Sequence, residues 1–146
     1  MAEEQQQPAL VINSQYIKDL SMEIPLAPEI FLQAAAQPEL KIDVAINTKT
    51  LENHMYNVDL TLTLNGDIAD KKLFILELTY SALTTLNLPA EHLEPVLNIE
   101  IPRLLFPFAR NIISQSLMEA GLPPIMLNPI DFAALYTARK QAKEQN

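Results

Sequence analysis

The sequence has no cysteine, no tryptophan, only two glycines and only two histidines among 146 residues. Without cysteine there can be no disulfide, no thiolate nucleophile and no cysteine–zinc site. With so little glycine, no glycine-rich loop is available to cradle a phosphate. Eleven prolines must punctuate the chain instead. Basic residues are also scarce: 10 Lys and Arg stand against 18 Asp and Glu, a net charge of −8. That balance opposes nucleic acid, whose binding rests on neutralising phosphates. It leaves a basic partner or simple solubility open. No run approaches the roughly 18 apolar residues that span a bilayer, so no membrane insertion is expected. The stretch MAEEQQQPAL lacks the basic-then-apolar pattern of a signal peptide. Together with the absent cysteines this leads us to expect a cytoplasmic location.

No constellation of catalytic residues stands out in the sequence. His54 and His92 have no partner at metal-ligand spacing. Ser14, Ser21, Ser81, Ser114 and Ser116 lack the glycine elbow of a serine hydrolase. Glu91 with Glu94, and Asp67 with Asp70, read as solvated surface acids. No catalytic residue, cofactor or metal is expected.

What is present is apolar surface in two different periods. Hydrophobic residues make up 49% of the chain, enough for a core. The length fits one domain over residues 1–146, with flexible tails expected at 1–9 and 139–146. In the first half the period is two. In SQYIKDLSMEI, Tyr16, Lys18, Leu20, Met22 and Ile24 fall on one face, while Ile17, Asp19, Ser21 and Glu23 fall on the other. A second strand alternates Leu40, Ile42, Val44 and Ile46 with Glu39, Lys41 and Asp43. A third places Tyr56, Val58, Leu60, Leu62 and Leu64 on one face, then meets a turn signal at Asn65-Gly66-Asp67. A fourth, KKLFILELTY, turns Phe74, Leu76, Leu78 and Tyr80 inward. Short connections favour an antiparallel meander. One face is aliphatic; the other gathers Asp19, Glu23, Asp43, Asp59 and Glu77.

After a loop marked by Pro89 and Pro95 the period becomes helical. IPRLLFPFARNIISQSLMEAG reads as a long helix closed by Gly121, with Pro107 tolerable about one turn in if the helix begins near Arg103 and a kink expected if it begins earlier. Asn128 as cap and Pro129 as first residue predict a last helix through NPIDFAALYTARKQAK. The fold class is α+β, with a four-stranded antiparallel sheet followed by two helices packed on one face. Such a sheet needs one layer of cover, yet the chain also brings the apolar loop PLAPEIFLQAAA. Surplus of that kind implies self-association or an apolar ligand.

The series YIKDLSMEIPLAPEIF, QPELKIDV, LFPFARNII and GLPPIMLNPIDFAALY resembles SecB, the cytosolic bacterial export-chaperone family, from about residue 10 to residue 138. The resemblance implies a homotetramer arranged as a dimer of dimers. It also implies ATP-independent holding of unfolded preproteins in hydrophobic grooves, and delivery to the SecA motor, whose basic tail docks on the acidic sheet face. Carried onto this sequence, the SecA-binding positions are Asp19, Glu23, Ile75 and Glu77. Client-binding candidates are Leu26, Phe31, Ile42, Val44, Tyr56, Val58, Phe132, Leu135 and Tyr136. The apolar helix offers Leu104, Leu105, Phe106, Phe108, Ile112 and Ile113 for the subunit interface. Two other readings stay open: a SecB-like chaperone serving a toxin–antitoxin pair, and a carrier or enzyme for a small apolar ligand.

Overall fold

The computed structural model describes residues 8–33 and 37–144. Its centre is a four-stranded antiparallel sheet in the order β1-β4-β3-β2. The strands are β1 (Leu10–Glu23), β2 (Glu39–Thr50), β3 (Met55–Ile68) and β4 (Lys71–Leu86). Only β2, β3 and β4 form the expected meander. The connection between residues 24 and 38 is long enough to cross over, so β1 pairs with β4 at the far side. Within this crossing the short turn Glu29–Leu32 buries Ile30.

Alternation decides which face is covered. Leu60, Leu62 and Leu64 of β3 and Leu76 and Leu78 of β4 are fully buried. They meet a helix stripe at steps of four: Ile101, Leu105, Ala109, Ile113 and Leu117. Each such leucine contributes roughly 1.5–3 kcal/mol by leaving water. The fourth strand outruns its expected end at Tyr80, because Ala82, Thr84 and Leu86 are buried as well.

The first strand departs most from simple alternation. Its pairing with β4 slips between Ile12 and Ser14 and again between Ile17 and Asp19, so Asn13 and Lys18 are the extra residues of two bulges. Tyr16 and Lys18 therefore reach the outer face, and Ile17 turns to the helix side opposite Tyr80. The sequence pattern assigns these three the other way.

The Asn65-Gly66-Asp67 signal is not the turn; it lies within β3, and the reversal falls at Ala69 and Asp70, with φ of +48° and +63°. Gly66 is needed because Phe74 lies against it across the ladder, where a Cβ would overlap the ring.

The expected loop after Pro89 is helical. Helix α1 (Ala90–Pro95) runs through a wider π-helical stretch, Val96–Glu100, into α2 (Ile101–Glu119). Ile101 N–H bonds to the carbonyl of Val96, five residues back. That wide turn directly precedes Pro102, which has no N–H to offer. The helix thus begins well before Arg103, and Pro107 lies in its interior. Pro107 and Arg103 are both exposed, so water can reach the carbonyl that the proline leaves free.

The end of α2 follows expectation. Gly121 adopts φ +81°, while Leu122 N–H bonds to Leu117 O at 2.9 Å and Gly121 N–H to Met118 O at 3.1 Å. Helix α3 (Phe132–Glu144) starts later than Asn128 and Pro129 suggest, because Asp131 is the cap. Its Oδ1 accepts from Ala134 N–H at 3.0 Å. Residues 139–144, read from sequence as tail, are the last turns of α3; Arg139 there donates to the Val44 carbonyl. At the other end, Ala9 O accepts from Asn87 N–H. Positions 1–7 and 145–146 of the expected tails lie outside the described residues.

Candidate functional site

The outer face of the sheet carries the acidic positions. Cross-strand pairing sets Glu23 opposite Ile75, Ser21 opposite Glu77 and Asp19 opposite Thr79. Asp19, Glu23, Ile75 and Glu77 thus occupy three successive rows of two neighbouring strands. Asp19 and Glu23 are exposed, and Ile75 and Glu77 are half-buried. Glu77 also lies opposite Thr63, which pairs with Asp43, so the acidic character continues toward β2. Among the described residues, the ion pairs join Lys18 to Asp59, Lys72 to Asp67, His92 to Glu91 and Arg103 to Glu100. None engages Asp19, Glu23 or Glu77.

Asp59, on the same face, is different in kind. Burial pushes its carboxyl up, but hydrogen bonds from Ser81, Lys18 and Asn57 and the Lys18 charge outweigh that and hold it below the usual carboxylate range. Ser81 Oγ donates to Oδ1 at 2.6 Å, Asn57 Nδ2 to the same oxygen at 2.8 Å, and Lys18 Nζ to Oδ2 at 3.0 Å. Tyr16 completes the chain by donating to Asn57 Oδ1. The hydrogen bond to Asp59 in turn raises the Lys18 ammonium above its ordinary value. Asp59 is therefore a satisfied carboxylate, whereas Asp19, Glu23, Glu77 and Asp43 have no cation partner among the described residues.

The helix side and the sheet end hold the apolar candidates. Leu26, Phe31 and Ile42 are exposed to between 41% and 48%, and Leu32 to 85%. Val44, Tyr56, Leu135 and Tyr136 are half-buried, whereas Val58 and Phe132 are buried in the chain's own core. Ile42 and Val44 sit on one face of the edge strand β2, opposite Leu64 and Leu62, and Arg139 ties α3 to the Val44 carbonyl. Burial, with the Glu94 carboxylate beside it, pushes the Tyr136 phenol up. Tyr56 is not brought to this group; it lies at the opposite end of β3, paired with Thr50.

A cavity of about 370 Å³ opens where the crossing connection meets the segment after α2. Pro38, Leu40, Leu73, Leu122, Pro123 and Ile125 line it. Sequence reasoning did not single out Leu122, Pro123 or Ile125. The signal was there in PPIMLNP, a connection too apolar for a solvated loop.

The six interface candidates on α2 divide cleanly. Leu105, Phe106 and Ile113 pack inside the chain, and Ile112 is half-buried. Leu104 and Phe108 remain 48% and 51% exposed. Phe108 stacks on Tyr80 at 6.2 Å between ring centres, and Ile17, paired with Tyr80, is also 48% exposed. An uncovered apolar patch therefore surrounds the outer edge of β1 and α2.

Among the described residues, no helix is long and apolar enough to cross a membrane. No group of three or more His, Asp or Glu among them is arranged to hold a metal.

Comparison with known proteins adds a family. The family described as preprotein translocase subunit SecB matches residues 3–143. A protein-export protein SecB of Rhodospirillum rubrum is 48% identical over 138 residues, 94% of this chain and 86% of the relative. One of Paramagnetospirillum magneticum is 50% identical over 140 residues, 95% of this chain and 89% of the relative. Among solved structures, a SecB-like chaperone of Mycobacterium tuberculosis in complex with an antitoxin peptide shares the fold. It matches at TM-score 0.70 and 14% identity, over 84% of this chain and 91% of that one.

Proposed function

The chain belongs to the SecB family, and on that premise we propose that it is a preprotein-export chaperone that holds unfolded chains without ATP in the cytoplasm and delivers them to SecA. The family is one of chaperones and not of enzymes. One observation carries the reading: the acidic outer face of the sheet and the apolar surface along the edge strand β2 and α3 are separate, and both are accessible. Around the half-buried Ile75 the outer face presents Asp19, Glu23 and Glu77, none paired with a cation among the described residues, and Asp43 extends the acidic surface toward β2. That arrangement suits a basic tail that also brings apolar contact. Exposed carboxylate contacts contribute about 0–1 kcal/mol each, so several must act together.

The client side is the apolar connection, the β2 face and α3. Leu26, Phe31, Ile42, Val44, Leu135 and Tyr136 are accessible there. Burial is non-directional, which suits a chaperone that accepts many sequences. The exposed patch around Leu104, Phe108 and Ile17 supports assembly into the family's dimer of dimers.

The test has two arms. The purified protein is expected to suppress aggregation of an unfolded preprotein and to bind a SecA tail peptide; absence of both sinks the reading. Asp19→Lys with Glu77→Lys is expected to abolish peptide binding while client holding persists. Equal loss of the two activities would argue against separate surfaces.

A further inference from the structure

Within a single chain the edge strand β1 is poorly covered: on its helix side, Ile17 and Leu20 are 48% and 42% exposed. Before a second subunit covers it, a strand that buries so little specifies its register weakly, and a slip of one residue sends every side chain to the opposite face. A polar network supplies what burial does not. Pairing runs from Ile17 with Tyr80 directly to Asp19 with Thr79, which leaves Lys18 as the bulged residue. Lys18 Nζ reaches across β4 to Asp59 Oδ2 on β3, and Tyr16 makes the same crossing to Asn57. Ser81 of the intervening β4 donates to Asp59 Oδ1. Three strands are stitched on one face, through Asn57 and Ser81, which are both buried.

Parity gives the consequence. With the bulge, Asp19, Ser21 and Glu23 share the face of Ile75 and Glu77. Without it those three would turn to the helix side, and Leu20 and Met22 would face outward. We propose that Lys18, pinned to Asp59 two strands away, is the positioning residue that delivers Asp19 and Glu23 to the docking face. This rests on the reading of that face as the SecA-docking surface. The Lys18 charge is absorbed by Asp59, so the bulge fixes register without neutralising the docking carboxylates.

The test uses the full chain as Lys18→Ala, Lys18→Arg and Asp59→Ala, with a synthetic peptide of the basic SecA tail as probe. Lys18 is exposed, so Lys18→Ala guards against Asp59→Ala failing to fold. The chain has no cysteine of its own, so Leu20→Cys with Leu78→Cys reports register. These positions are direct partners, and a disulfide closes between them only while they stay opposite. Lys18→Ala and Asp59→Ala are expected to lower the trapping yield and to weaken peptide binding about three- to tenfold, the worth of one or two exposed carboxylate contacts. Lys18→Arg, which keeps the cation, is expected to restore both, and client holding is expected to stay unchanged throughout. Full trapping in Lys18→Ala overturns the proposal, whether or not the peptide binds. If Asp19→Lys with Glu77→Lys leaves peptide binding intact, the docking reading falls, and the trapping yield still decides the register.

Discussion

Gly66 and Phe74 face each other across the β3–β4 ladder, with the aromatic ring lying over the position where a Cβ would stand. Phe74 is fully buried, so its ring can make room only by repacking against its neighbours. Gly66→Ala is expected to destabilise the fold by about 1–3 kcal/mol, the usual cost of overpacking. Urea melts check this, and Phe74→Leu in the same chain is expected to recover part of the loss.

Asp59 makes stability depend on acid. Its folded carboxyl titrates below its unfolded value, so its contribution is fully present above about pH 3.9 and fades as the pH falls through the folded value. Urea melts from pH 7 downward are expected to show a steeper loss in the native chain than in Asp59→Asn. A parallel pair of curves would count against the Asp59 network as a source of acid sensitivity.

Asp131 caps the start of α3 through its bond to Ala134 N–H. Asp131→Ala is expected to cost about 1 kcal/mol. Hydrogen exchange should locate the loss in the first turn of α3, with α2 protected as before.

Phe108 stacks on Tyr80 yet leaves half its surface to solvent. Phe108→Asp is expected to shift the mass measured by light scattering toward smaller assemblies while circular dichroism stays native-like. An unchanged mass would remove this patch from the subunit interface.

Much of the sheet was legible because its cause is local. Leu60, Leu62 and Leu64 alternate with Thr61 and Thr63, and the structure buries the leucines as that period requires. The Lys18 bulge was hidden because its partner Asp59, and the Ser81 that donates to Asp59, are distant in sequence, and no window on β1 contains them. Pro89 and Pro95 read as breakers, yet one precedes α1 and the other feeds the π-helical turn, so packing of Leu97 and Ile101 overrides the local signal. Gly66 carried a true signal whose meaning was mistaken: the missing side chain makes room for Phe74 and does not make a turn. At the candidate site the family resemblance named Asp19, Glu23, Ile75 and Glu77, while only the register shows them as neighbours.

Strand order also fixes an order of events during synthesis. The partners of β1 run from Ile75 to Leu86, so β1 leaves the ribosome well before the strand it pairs with in this sheet is complete. The β3–β4 hairpin, joined by a tight reversal, can form as soon as it emerges, because its loop-closure cost is small. For the interval between, β1 and the apolar crossing behind it are themselves an unfolded, sticky segment of nascent chain. This protein begins life in the condition of the chains it is proposed to hold.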